Sequence, residues 1–224
     1  MIMARNAINI HVIDNQVESR NAVKRMVEES DQATITAEFA SYEEAWQGIS
    51  IAYPDILVVE IGVRNGNGME FVRKVRLQHP DVRILVFTHQ DENLYAERAL
   101  RVGAHGYLMK SANPEEFLRA LRTIMRGDFY VSPAIEEKIL RGIAGQEEAD
   151  DKNPEHILSN RELEIFVKIG EGLSSREIAA QLALSIKTVE THRAHIKRKL
   201  NIRSARELVQ QAQEWITHAY AVSK

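Results

Sequence analysis

The chain has 224 residues, 44% of them hydrophobic and 27% charged, with a formal net charge of −3. That is long enough for two globular domains and excludes a disordered chain. There is no cysteine, which excludes disulfides, thiolate catalysis and cysteine zinc sites. No apolar run approaches the roughly 18 residues of a membrane span, and the first residues run into a strand-like segment without a signal-peptide pattern, so a cytoplasmic location is expected.

Five strand-like runs lead the chain: INIHVI (Ile8–Ile13), TITAEF (Thr34–Phe39), DILVVE (Asp55–Glu60), RILVFT (Arg83–Thr88) and HGYLM (His105–Met109). Polar segments with helical periodicity separate them. The last such segment opens on Asn113-Pro114-Glu115-Glu116, an N-cap followed by a proline at the first helical position, and places Phe117, Leu118, Leu121, Ile124 and Met125 on one face. Strands that each precede a helix predict a parallel sheet covered on both sides, with continuous runs such as ILVV at its centre. Ligands of such sheets gather outside the carboxyl ends of the strands, where this reading places Asp14, Asn15, Glu60, Thr88 and Lys110. Glu60 is followed by a loop with two glycines, Gly66 and Gly68.

A short helix is expected within Ser132–Gly145, with Ile135, Ile139, Leu140 and Ile143 on one face. The acidic stretch QEEADDKNPEH (Gln146–His156) then reads as a linker. The expected division is 1–127, a linker over 128–156 with that short helix, and 157–224.

The last part is all helix. From Pro154 onward the charge is +3, against −6 for the rest, and six basic side chains with no acid lie between Arg193 and Arg206. Ser159 with Glu162, Ser174 with Glu177 and Ser204 with Glu207 are helix starts of the Ser-x-x-Glu type, in which the glutamate reaches back to the cap. Ser185 is a fourth start without the glutamate. In SSREIAAQLALSIKTVETHRAHIKRKL (Ser174–Leu200), Ile178, Ala179 and Leu182 form the inner face of a short helix, and a turn at Ala183–Leu184 leads to a second. Its seam is Val189, Ile196 and Leu200; its other face presents Lys187, Glu190, Thr191, Arg193, Ala194, Lys197 and Arg198. Two short helices with a tight turn, the second basic outside and apolar inside, predict a helix-turn-helix.

Residues 157–216 resemble the four-helix DNA-binding domain of LuxR-type regulators, through LSNRELEIFVKIGEGLSSREIA and SIKTVETHRAHIKRKL. The first half resembles a response-regulator receiver, and together they resemble the NarL/FixJ class of two-component transcription regulators. The resemblance implies an α/β plus all-α architecture: a flavodoxin-like, doubly wound (βα)5 receiver, then a four-helix LuxR-type helix-turn-helix domain. It implies a homodimer on double-stranded promoter half-sites, with Lys187, Glu190 and Thr191 at base edges and Thr188, Arg193, Lys197 and Arg198 at the backbone. Glu190 reads either as an acceptor for a cytosine amino group or as the partner of Lys187 or Arg193.

In receivers an acidic pair and an aspartate hold Mg²⁺, the aspartate takes a phosphoryl group from a histidine kinase, and a Thr or Ser and a Lys bind that group. An aromatic residue before the Lys reports the switch. Thr88, Tyr107 and Lys110 match; the phosphoacceptor position holds Glu60, the acidic pair reads Asp14-Asn15, and Arg64 stands where proline is usual. The added methylene moves the carboxylate by about 1 Å, which costs on the order of 10²-fold in an in-line transfer, and Asn15 removes charge from a Mg²⁺ site. No cofactor is required on this reading, Mg²⁺ is disfavoured (Asp14 and Glu60 being its weak candidates), no residue is catalytic, and no cognate kinase or membrane partner is expected. Either Glu60 pairs with Lys110 or Thr88 and mimics the phosphorylated state, or the pocket is vestigial and the receiver is a dimerisation platform or senses another ligand or protein; phosphorylation of Glu60 itself is the third possibility. Trp46 and Trp215 read as packing residues, and His192 and His195, three apart, as DNA or core contacts rather than metal ligands.

Overall fold

The structure, a computed structural model, describes residues 7–28, 30–63, 66–144 and 153–221, the side chains of 218–221 excepted. The chain divides into two compact units between Leu140 and Arg141. No helix among the described residues is long and apolar enough to cross a membrane.

The first unit alternates β1 (Ile8–Ile13), α1 (Val17–Glu28), β2 (Ala33–Phe39), α2 (Tyr42–Ile51), β3 (Ile56–Val59), α3 (Gly68–Gln78), β4 (Arg83–Thr88), α4 (Glu92–Arg101), β5 (Gly106–Met109) and α5 (Pro114–Arg126), and ends in α6 (Pro133–Ile143). All strands are parallel, in the order β2-β1-β3-β4-β5. The central strand β3 is buried at every residue, whereas β2 at the edge alternates. The expected strands appear with small changes at their ends: β3 stops at Val59, so Glu60 stands just beyond it.

Ile10, Val12, Ile56, Val58, Leu85 and Phe87 pack against Val23 and Val27 of α1 and Phe117, Ala120, Leu121 and Ile124 of α5. Phe87 and Phe117 meet edge to face at 5.2 Å. The apolar stripe expected on α5 is this contact, with Leu118 and Met125 at its margin. The helix begins with a reciprocal capping box between Asn113 and Glu116. The free edge of β5 is covered by Tyr130, whose carbonyl accepts the Tyr107 amide at 2.8 Å and whose amide donates to His105 O at 3.0 Å.

The short helix read within Ser132–Gly145 is present as α6, and the reading of Gly68 is corrected. Of the apolar face foreseen for α6 only Ile135 is buried, Ile139 is half-buried, and Leu140 and Ile143 are exposed. The helix is held by polar contacts instead: Lys138 Nζ donates to Asn93 O at 2.9 Å and Ser132 Oγ to Glu92 at 2.8 Å. Gly68, read from the sequence as a loop glycine, is the first residue of α3, capped by Asn67. Its Cα presses on the chain after β3, where an added Cβ would lie 2.4 Å from Ile61 Cα and 2.5 Å from Ile61 O. Arg64 lies outside the described residues.

The second unit is helical: a one-turn α7 (Pro154–Ile157), then α8 (Asn160–Gly170), α9 (Ser175–Leu182), α10 (Ile186–Lys199) and α11 (Ala205–Ala221). Capping boxes at Ser159/Glu162 and Ser174/Glu177 start α8 and α9 as read from the sequence, and Ser185 caps α10 through the Thr188 amide. At the last start Ser204 accepts the Glu207 amide, but the Glu207 carboxylate takes the Arg203 amide rather than the cap's own. Leu163, Phe166, Ile178, Leu182, Val189, Ile196, Leu208 and Ala212 are buried in this core. Trp215 tilts on Phe166 at 5.7 Å and donates its indole N–H to Asn153.

Gly68→Ala should lower stability by about 1–3 kcal/mol, since backbone cannot yield as a flexible side chain does; an unshifted chemical-denaturation midpoint would contradict this. A second outcome concerns His105, whose Nδ1 accepts the Ile84 amide at 3.0 Å. Burial, then Arg76 and Arg83, lowers its pKa from 6.5 to about 4. Its contribution is complete above the unfolded-state value and is lost as pH falls from 6.5 towards about 4. His105→Asn retains an acceptor without titrating. Allowing for partial exposure, it should lose about 1–2 kcal/mol less than the native chain across that window, read by denaturation at both ends.

Candidate functional sites: a carboxylate pocket and a basic helix

The carboxyl ends of β1, β3, β4 and β5 bring together Asp14, Glu60, Thr88 and Lys110. Asp14, Glu60 and Thr88 are buried, and the Lys110 side chain is 6% exposed. Burying charges is costly unless each is paired, and the pairing here is complete. Lys110 Nζ lies 2.6 Å from Glu60 Oε2 and also bonds Asp14 Oδ2. Glu60 Oε1 accepts the Thr88 hydroxyl at 2.5 Å and the Gly62 amide at 2.7 Å. Asp14 Oδ1 accepts the Gln16 amide at 2.8 Å. One ammonium thus serves two carboxylates, and every carboxylate oxygen has a protein donor.

A second layer holds these groups in place. Gln90 donates its amide to Thr88 Oγ1 at 3.2 Å, and its carbonyl accepts the Tyr107 hydroxyl at 2.9 Å. Burial, with the neighbouring Tyr95 and Glu60, pushes the Tyr107 phenol well above its ordinary pKa, so it stays a donor. Tyr42 stacks on Phe71 and donates to Glu60 O at 2.7 Å. Ser19, in the first turns of α1, lies 3.3 Å from Lys110 Nζ.

Of the residues read from the sequence, Asp14, Glu60, Thr88 and Lys110 converge and Tyr107 joins through Gln90. Asn15 is half-buried and adds no hydrogen bond to the network among the described residues. Gln16, Ser19, Tyr42, Gly62 and Gln90 were not foreseen. Three of them, Gln16, Gly62 and Gln90, act through backbone amides and Gln90 through its carbonyl as well, and no side-chain pattern announces those.

The second site is α10. Ala183, at φ 52°, closes α9 in the left-handed region and turns the chain into α10. Val189 and Ile196 are buried and Leu200 half-buried, so the seam faces inward as read. Lys187, Glu190, Thr191, Ala194 and Arg198 are exposed; Thr188, Arg193 and Lys197 are half-buried. Arg193, expected on the presented face, folds along the helix with Nε 3.8 Å from Glu190. Glu190 also accepts the Ser175 hydroxyl from the start of α9. The Thr188 hydroxyl shares a hydrogen bond with the Ser185 cap at 2.7 Å, and Thr191 donates to Lys187 O at 2.9 Å.

Comparison with known proteins agrees with this two-part geometry. Residues 10–122 match the response regulator receiver domain and residues 156–212 the bacterial regulatory proteins of the luxR family. The chain is 34% identical to the oxygen regulatory protein NreC of Staphylococcus carnosus, over 92% of this chain and 96% of that protein. It is 32% identical to NreC of Staphylococcus haemolyticus over the same shares. A LuxR-family two-component response regulator from an Aurantimonas species aligns with a TM-score of 0.57 at 29% identity, covering 62% of this chain and 99% of that one. RcsB of Salmonella typhimurium shares the fold, with a TM-score of 0.66 at 19% identity over 94% of this chain and 98% of that one. The chain belongs to the two-component response regulators of the LuxR/NarL type, DNA-binding transcription regulators that join a receiver domain to a LuxR-family helix-turn-helix domain.

Proposed function

We propose that this regulator acts as a homodimer on promoter half-sites without phosphorylation of its receiver, the Glu60 carboxylate standing where a phosphoryl group would. In this reading 1–127 is the receiver, 128–156 the connector and 157–224 the DNA-binding half. The observation that carries it is the Glu60 contact set: its oxygens accept from Thr88 at 2.5 Å and Lys110 at 2.6 Å, the two groups with which receivers hold a phosphoryl group. The extra methylene of Glu over Asp supplies that reach. The inward Tyr107, tied through Gln90 to Thr88, supports the same reading.

The donor accounting also bears on Mg²⁺. That ion takes carboxylate oxygens and waters in near-ideal octahedral geometry. Here the four oxygens of Asp14 and Glu60 already accept protein donors, the Lys110 ammonium lies between them, and Asn15 replaces a second acid. These residues do not fit Mg²⁺ as arranged, and no phosphotransfer step is assigned. RcsB from Salmonella enterica has been solved on promoter DNA with the phosphomimetic BeF3⁻; in this chain the mimic is built into the side chain. A carboxylate has less charge and fewer acceptor oxygens than a phosphoryl group, so the mimicry is partial.

On the DNA side we assign Lys187 and Thr191 to base edges, with Glu190 beside them, and Thr188, Arg193, Lys197 and Arg198 to phosphates. Glu190 is held by Ser175 and Arg193, which orients its carboxylate at the N-terminal part of α10 and favours a positioning role over a free acceptor. Dimerisation is assigned to Ser204–Ile216, by resemblance to the family.

With acetyl phosphate and Mg²⁺ the intact mass should show no phosphoryl adduct and promoter affinity should not change. Glu60→Ala should weaken promoter binding about 5- to 150-fold, the usual range of coupling between sites. An adduct on Glu60 would overturn the proposal; full binding by Glu60→Ala would show the vestigial pocket instead. Affinity should fall steeply with salt. Lys197→Ala should weaken all sequences alike and flatten the logarithmic salt slope by about 1, while Lys187→Ala should relax sequence preference. A slope unchanged by Lys197→Ala in titrations at several salt concentrations would remove that phosphate contact.

A further inference from the structure

The tertiary fold brings a third ligand to the histidine pair of α10. Glu162 from α8, His192 and His195 each offer a ligand atom, and these atoms all lie within 4.8 Å of one another. We propose that Glu162, His192 and His195 bind one divalent transition cation, with Zn²⁺ the best fit, which fastens α10 to α8.

Buried Glu162 and half-buried His192 both have unused ligand capacity. Glu162 is 4% exposed; its Oε2 accepts the Ser159 amide at 2.8 Å and Lys199 Nζ at 2.6 Å. Its Oε1 receives no hydrogen bond among the described residues and lies 4.0 Å from His195 Nδ1. His192 Nδ1 is buried without a hydrogen-bond partner. Leaving the His192 nitrogen buried and unpaired costs on the order of 1–3 kcal/mol, a cost that ligation through Nδ1 would remove. Burial, then Arg161, lowers the His192 pKa from its ordinary value. The Glu162 pKa is lowered as well: burial, the largest influence, acts to raise it, and the bonds from Lys199 and Ser159 together outweigh that.

Two imidazoles and a carboxylate suit Zn²⁺, with water as a fourth ligand, and do not suit Mg²⁺ or Ca²⁺, which take oxygen. Tetrahedral Zn²⁺ places ligand atoms about 3.3 Å apart at its usual bond lengths. His195, whose side chain is 44% exposed, can rotate to close the difference. His192 and His195 share a face of α10 because residues three apart do so. Lys199 repels a dication, yet it bonds only the far oxygen and its side chain is 36% exposed, so it can swing into water while Ser159 still orients the carboxylate.

Titrating the full chain with Co²⁺ should develop the visible absorption of low-coordinate N/O-ligated cobalt, saturating at one equivalent and lost on adding Zn²⁺. Zn²⁺ should also raise the thermal midpoint, reversibly with chelator. His195→Ala, at an exposed position that leaves the core intact by circular dichroism, should weaken binding by more than about tenfold, and His192→Gln should do the same. His89→Ala, in the other unit, should change nothing. Absence of the band, or equal affinity in the His195 and His89 variants, would overturn the proposal.

Discussion

The first unit is organised around one ammonium held between two buried carboxylates. Lys110 reaches Glu60 and Asp14 at once, so the carboxyl ends of β1, β3 and β5 are tied at a single atom, and Thr88 adds β4 through the other Glu60 oxygen. Removing one member of such a set leaves a buried charge unpaired, at a cost of roughly 3–5 kcal/mol. Identity at these positions is therefore constrained by electrostatics whether or not phosphoryl chemistry takes place there. The longer Glu60 side chain reaches the Thr and the Lys directly, and no carboxylate oxygen of the pocket is left without a protein donor.

The second unit depends on backbone termini more than on charge. Four serine caps set the starts of α8, α9, α10 and α11, and each satisfies amides that would otherwise be orphaned at a buried or crowded helix end. Between α9 and α10 the chain must turn within three residues, and it does so with Ala183 in the left-handed region, a conformation that costs an L-residue roughly 1 kcal/mol. What that turn secures is the angle at which α10 leaves the core, with Val189 and Ile196 inward and Lys187, Thr191 and Arg198 outward. The Glu162–Lys199 pair ties the end of α10 to the start of α8, so a capping glutamate of one helix also anchors the other.

How much of this was readable in advance varies with the range of the interaction. Period-two and unbroken apolar runs located all five strands, because burial of a strand acts on consecutive residues. The Ser-x-x-Glu starts were readable for the same reason: a cap and its partner lie three residues apart. The helix α6 was readable too, but an apolar stripe shows what a helix could bury and not whether anything covers it. Gly68 was misplaced because the backbone it presses against, at Ile61, becomes a neighbour only when the loop after β3 folds back.

By itself the sequence determined the element order, the helix starts, the basic face of α10 and the set of residues at the strand ends, all of which follow from local spacing and from the rule that parallel strands deliver their ends to one edge. Only the tertiary structure decided which of those residues touch: that Lys110 serves both Asp14 and Glu60, that Glu190 is held by Ser175, and that Glu162 stands beside His192 and His195. Lys110 lies 96 residues from Asp14 and 50 from Glu60, Glu190 15 from Ser175, and Glu162 30 and 33 from His192 and His195. Their contacts depend on how layers and helices pack, and hydrogen bonds and ligand geometry are decided within about an ångström, a precision that spacing along the chain does not carry.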